Sequence, residues 1–167
     1  MPLADALLPE FDHETGVTRR LLERVPDGQF AWSPHQKSMT LGKLATHVAE
    51  VLTWLPETVH KTEINWDTTA PYVPKSFDTR EGVLAFFDQS REAARSALAG
   101  ASDAELMQPW TFKKDGQVVF SQPKIGVIRG MVMNHMIHHR AQLSVYLRLL
   151  DVPVPSIYGP SADEQGT

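Results

Sequence analysis

The sequence predicts an all-α protein, a four-helix bundle with a long crossover between helices two and three and a short β-hairpin before helix four. Three observations lead there. Four segments repeat apolar residues at the spacing of one helical face, bounded by Gly, Pro or capping side chains. Residues 64–77, with Trp66, Pro71 and Pro74, carry little regular pattern and are long enough to let helices two and three lie parallel. Asp115-Gly116 sits between two short β-prone runs, Trp110 to Lys113 and Gln117 to Phe120, a signal for a tight hairpin.

Taken in order, helix one is expected from Leu7 to Arg24, where Leu7, Leu8, Phe11, Thr15, Thr18 and Leu22 share a face and Pro26-Asp27-Gly28 ends it. Phe30-Ala31-Trp32-Ser33-Pro34 reads as an apolar loop, after which Ser38 or Thr40 can cap helix two. Helix two spans Leu41 to Lys61, with a kink expected at Pro56 and His47 on the flank of its stripe. Helix three covers Thr79 to Ala99, capped by Asp78 and closed by Gly100. Helix four runs from Lys124 to Leu150. With His135 set at zero on a helical wheel, Ile128, Met131, Val132, Gln142, Tyr146, Leu149 and Leu150 fall within roughly 60° of it. His139 lies about 40° away and one turn on, while Arg129, Arg140 and Arg148 fall on the far, polar side. After an extended stretch to Gly159, residues 160–167 read as a disordered tail, leaving residues 1–159 as a single domain.

Composition narrows the function classes. The chain has 167 residues, a net charge of −4 and no cysteine. Disulfides, thiolate metal ligands and a Cys nucleophile are thereby excluded. The basic residues are scattered, which argues against a nucleic-acid surface. The N-terminus lacks the basic-then-apolar run of a signal peptide, and no stretch approaches a membrane span, so a cytoplasmic location is expected.

Two imidazoles, His135 and His139, therefore fall in a stripe expected to be buried, where unpartnered polar groups are costly. Their i, i+4 spacing suits one metal ion, and His47 supplies a third nitrogen from helix two; three such ligands leave a position open for water or substrate. The competing reading makes them core histidines bonded to backbone carbonyls. His138 is open between ligand, outer partner and pocket residue, and with Glu14 it is one of the two candidates for a catalytic acid or base. Glu14, at the edge of the helix-one stripe, is a candidate base or fourth ligand, or an exposed carboxylate. Trp32, Trp54, Tyr146 and Tyr158 are candidates to line a pocket, or are core. Met136 stands where a metalloprotease of the His-Glu-x-x-His type has its general base, which excludes that chemistry. Glu-x-x-His occurs twice, at Glu10 to His13 and Glu57 to His60, but both histidines point away from their stripes, which removes a di-iron reading.

Three stretches, Leu41 to His47, Asn134 to Leu143 and Pro153 to Gly159, together with Phe30 to Pro34, resemble the DinB-like superfamily, which includes YfiT-type hydrolases and thiol-dependent transferases. That pattern has Gly between Arg and Gln where this chain has Ala141. The resemblance implies a bundle with a long second connection and a divalent metal, nickel or zinc, on His47, His135 and His139. It also implies homodimers and, in relatives of known activity, low-molecular-weight thiols such as mycothiol or bacillithiol. The reading is a metal-dependent thiol transferase or hydrolase acting on a small molecule, with any thiol supplied by a cofactor. The alternative is a non-catalytic, stress-related metal- or ligand-binding protein.

Overall fold

Helix α1 (Leu3–Leu22) begins a turn earlier than its apolar spacing predicts, with the Leu3 N–H satisfied by Asp103 Oδ1 at 2.7 Å. The computed structural model describes residues 1–70 and 72–164. Thr40 caps α2 (Leu41–Glu50), its hydroxyl oxygen accepting from the Lys43 N–H. The expected single helix from Leu41 to Lys61 is broken before its proline. A 3₁₀ turn (Val51–Thr53) separates α2 from α3 (Trp54–His60). Pro56 has no N–H to offer the Leu52 carbonyl, so the chain tightens there and Trp54 N–H bonds back to Val51 and Leu52. Thr79, rather than Asp78, caps α4 (Arg80–Gly100) through the Gly82 N–H. A capping box between Ser102 and Glu105 starts the one-turn α5 (Asp103–Leu106).

The last helical rod is continuous but not uniform. It runs as α6 (Lys124–Val127), a π-helical segment (Ile128–Asn134) and α7 (His135–Leu149). Each π turn takes one more residue than an α turn, so side chains before Asn134 are rotated relative to those after it. Helix α4 packs against α1, α2 and α3, and α7 packs against α1 and α2. Phe11, Leu44, Val48, Phe87, Met136 and Leu143 meet between them in a fully enclosed core. Burying a side chain of this size contributes about 1.5–3 kcal/mol.

The all-α four-helix bundle is corrected. The fold is mostly helical, but its α-helix comes in seven segments among the described residues, and it carries a three-stranded mixed sheet in the order β1-β2-β3. Strand β1 (Glu63–Trp66) lies in the connection read as patternless. It pairs in parallel with β2 (Pro109–Lys114), placing Ile64 beside Phe112. Strand β2 pairs antiparallel with β3 (Gln117–Pro123) across Asp115 and Gly116, which take φ 46 and 79, with a bulge after Phe112. Partners of β1 are nearly fifty residues away, which local periodicity cannot register. Of the stretch read as a tail, Asp163 binds Arg148 and the Val154 N–H, and Glu164 accepts from the Ser156 N–H. Residues 165–167 lie outside the described residues. Among the described residues no helix is long and apolar enough to cross a membrane.

Candidate metal centre

The three histidines named from the sequence come together. Helix α2 presents His47, the first residue of α7 is His135, and His139 follows one turn on. One nitrogen from each lies within 4.8 Å of the other two. His47 Nε2 and His135 Nε2 are 3.3 Å apart. Two nitrogens on a tetrahedral zinc, at about 2.0–2.1 Å each, stand about 3.3–3.4 Å apart, so the donor set fits a metal ion. The ring of His139 packs against both others, at centroid distances of 4.6 and 4.7 Å.

The rings of His139 and His47 each have an outer neighbour. Gln142 Oε1 accepts from His139 Nδ1–H at 2.7 Å, which leaves the Nε2 lone pair of His139 free. Glu50 Oε2 stands 3.6 Å from His47 Nδ1, while His47 Nε2 faces His135. Glu50 is buried and held in place by the Tyr72 hydroxyl and by the Lys75 N–H at 2.9 Å. Burial and the Glu50 carboxylate push the Tyr72 phenol up to about 12. Burial, aided by the neighbouring imidazoles, pushes His135 down to about 4, against a hydrogen bond from its ring to the Met131 backbone carbonyl. Burial also lowers His139. Near neutral pH both rings are therefore unprotonated, the form that binds metal.

The stripe on α7 sits differently from its helical wheel. Its enclosed residues are Met136, Arg140, Leu143 and Leu147, centred about 80–140° around from His135. His135 and His139 lie on the flank of this stripe, and Gln142 and Leu149 are exposed. Arg140, expected on the outer face, is 1% exposed. It donates to Glu14 Oε2 at 2.6 Å, to the Glu14 carbonyl at 3.1 Å and to the Tyr158 hydroxyl at 2.6 Å. Tyr158 in turn donates to the Glu14 carboxylate at 2.8 Å. Glu14 is thus buried with both oxygens engaged, and its burial follows from this pairing.

His138 is exposed and contacts Gln142 Nε2 at 3.1 Å, one step removed from the cluster. Trp54 stands against both His47 and His135, at centroid distances of 5.9 and 5.3 Å. Trp32 and Tyr146 pair edge-to-face with each other, and the Tyr146 hydroxyl binds the Met39 carbonyl. His13 and His60 are exposed, as their helical faces predict. Sequence reasoning missed Glu50 and Gln142. Each stands three residues after a cluster histidine, a spacing that puts it on the same helical face.

Beside the cluster is a cavity of about 570 Å³, with Trp54 as the shared wall. Strands β1 and β2, helix α3, the π-helical segment and the connection after β1 enclose it.

The DinB family model matches residues 1–166. The chain belongs to the DinB family. Similar to it is the uncharacterized protein YrdA of Bacillus subtilis strain 168, 24% identical over 163 residues, 96% of this chain and 90% of YrdA. Among solved structures, a DinB-like protein from Bacillus cereus ATCC 10987 matches with TM-score 0.69 at 21% identity, covering 94% of this chain and 98% of its own. A second, the DinB-like protein YjoA of Bacillus subtilis, matches with TM-score 0.70 at 15% identity, covering 93% and 99%. At these identities the two structures establish the fold alone. In this DinB family member the three-histidine group can hold a metal ion.

Proposed function

We propose that the protein is a divalent-metal enzyme acting on a small molecule, of the thiol-transferase or hydrolase kind, with nickel or zinc on His47, His135 and His139. One observation carries the reading: three imidazoles converge beside a cavity of small-molecule size. When bound, the metal supplies a Lewis acid that lowers the pKa of a coordinated thiol or water. Gln142 holds the ring orientation of His139, Glu50 stands beside the His47 ring, and Trp54 screens the cluster on its cavity side. The chain has no thiol of its own, so a transferred thiol would come from a cofactor. A cytoplasmic homodimer is part of the proposal, and light scattering on the purified protein tests the dimer.

A second reading, a metal- or ligand-binding protein without catalysis, is favoured by one feature. The two buried carboxylates nearest in role to a general base are engaged, Glu14 by Arg140 and Tyr158, and Glu50 by Tyr72 and Lys75. Metal content of untagged protein, measured beside a His135→Ala, His139→Ala variant, tests the centre. About one nickel or zinc per chain is expected, lost in a variant that stays folded. A parent with no metal, and no rise in Tm on adding nickel or zinc, overturns both metal readings.

A further inference from the structure

The cavity beside the histidines shows a consistent chemistry in its lining. Trp54, Trp66, Tyr72, Trp110 and Phe112 give it aromatic walls, and Val127, Met131 and Val132 add aliphatic surface. Trp66, Tyr72 and Ile64 are 46, 48 and 44% exposed, so large apolar side chains stand open to solvent around it. Several of its polar groups are already committed, while the Trp110 Nε1–H is buried without a hydrogen-bond partner. Thr53 and Thr58 donate their hydroxyls to backbone carbonyls, and Tyr72 donates to Glu50. Asn65 Oδ1 accepts from the Gly116 N–H, and Asp67 Oδ1 accepts from Thr69. No Lys, Arg or His is among the described residues that line it, whereas Glu57 and Asp67 both do. Lys61 pairs with Glu57 from outside the lining.

We infer that this cavity binds a small molecule through an apolar, ring-bearing portion that carries no negative charge. Aromatic walls recognise a ring or an attached ammonium by stacking and cation–π contact. An anion would find no cation in the lining and would face two carboxylates. The volume of about 570 Å³ falls within the range of ordinary ligand sites. That this molecule is the substrate of the centre, with its reacting end at the histidines past Trp54, rests on the function proposed above.

The test is a titration of the full chain with 3-phenylpropan-1-ol, 3-phenylpropylamine and 3-phenylpropionate, followed by tryptophan emission. Trp54, Trp66 and Trp110 all line the cavity, so the probe is built in. The alcohol and the ammonium should shift the emission, and the carboxylate should bind on the order of ten-fold more weakly. Ala70→Phe, on an exposed alanine of the lining, should abolish the shift without lowering Tm. Glu57→Gln with Asp67→Asn should bring the carboxylate level with the other two. No shift with any probe in folded protein overturns the inference, as does equal binding of all three by the parent. An undiminished shift in Ala70→Phe overturns the placement. Metal content of the same samples separates the two proposals: metal without ligand binding removes this inference alone. Ligand binding without metal leaves the cavity site standing and removes its link to a metal centre.

Discussion

Helix α7 turns two groups of polar side chains toward the protein, and they are treated in opposite ways. Arg140 enters the core with a complete set of partners: Glu14 neutralises its charge, and Tyr158 bridges the two. Its neighbour in sequence, His139, joins two more imidazoles, all of one chemical kind, with their free nitrogens facing each other. The first cluster is closed, Arg140, Glu14 and Tyr158 each bonding the other two. The second is matched on its outer side by Gln142 and Glu50, while its inner nitrogens have only each other. A buried polar cluster that completes itself holds structure together. One that is oriented from outside and incomplete inside is arranged for something else to complete it.

The comparison breaks most visibly through Arg140. Arg140→Ala leaves the Glu14 carboxylate buried with its main partner gone, a loss of about 3–5 kcal/mol. Tm should fall on the order of 10 °C for a chain of this size. Thermal unfolding of the metal-free protein should show His135→Ala to be far milder. Equal losses would mean that the histidines are core residues and the contrast is false.

Gln142→Ala sharpens the same contrast from the other cluster. Removing the acceptor that holds the His139 ring should weaken nickel or zinc binding about 10- to 100-fold while leaving the metal-free Tm nearly unchanged. Competition against a chelator of known affinity reads the first quantity. An unchanged affinity would show that Gln142 does not orient the ring.

The smallest expected effect is on pH. His135 is pushed from an ordinary 6.5 down to about 4 by burial and its imidazole neighbours. In that window the unfolded chain takes up a proton that the folded chain refuses. Stability of the metal-free protein should therefore fall as pH falls from about 6.5 toward 4, and be unaffected by this group above that range. Tm measured across the window should flatten in His135→Gln. A parent and variant with parallel profiles would remove His135 from the account.

Much of this was legible in the chain itself. Helical spacing located the four helical stretches, and i, i+4 spacing with a third histidine on another stripe singled out His47, His135 and His139. Asp115-Gly116 marked the turn between β2 and β3, because both positions need positive φ and that pair tolerates it. These are local facts, written in residues a few positions apart. The illegible part was non-local. Strand β1 becomes a strand because β2 lies beside it, and the cavity exists because that sheet stands off α3 and the π-helical segment. A uniform 100° wheel centred on His135 put Arg140 outside, since nothing in the α7 sequence announces a buried carboxylate on α1. Local periodicity determined which residues form helices and which histidines share a face. Only tertiary packing decided which way that face points, because burial of a charge depends on a partner more than a hundred residues away.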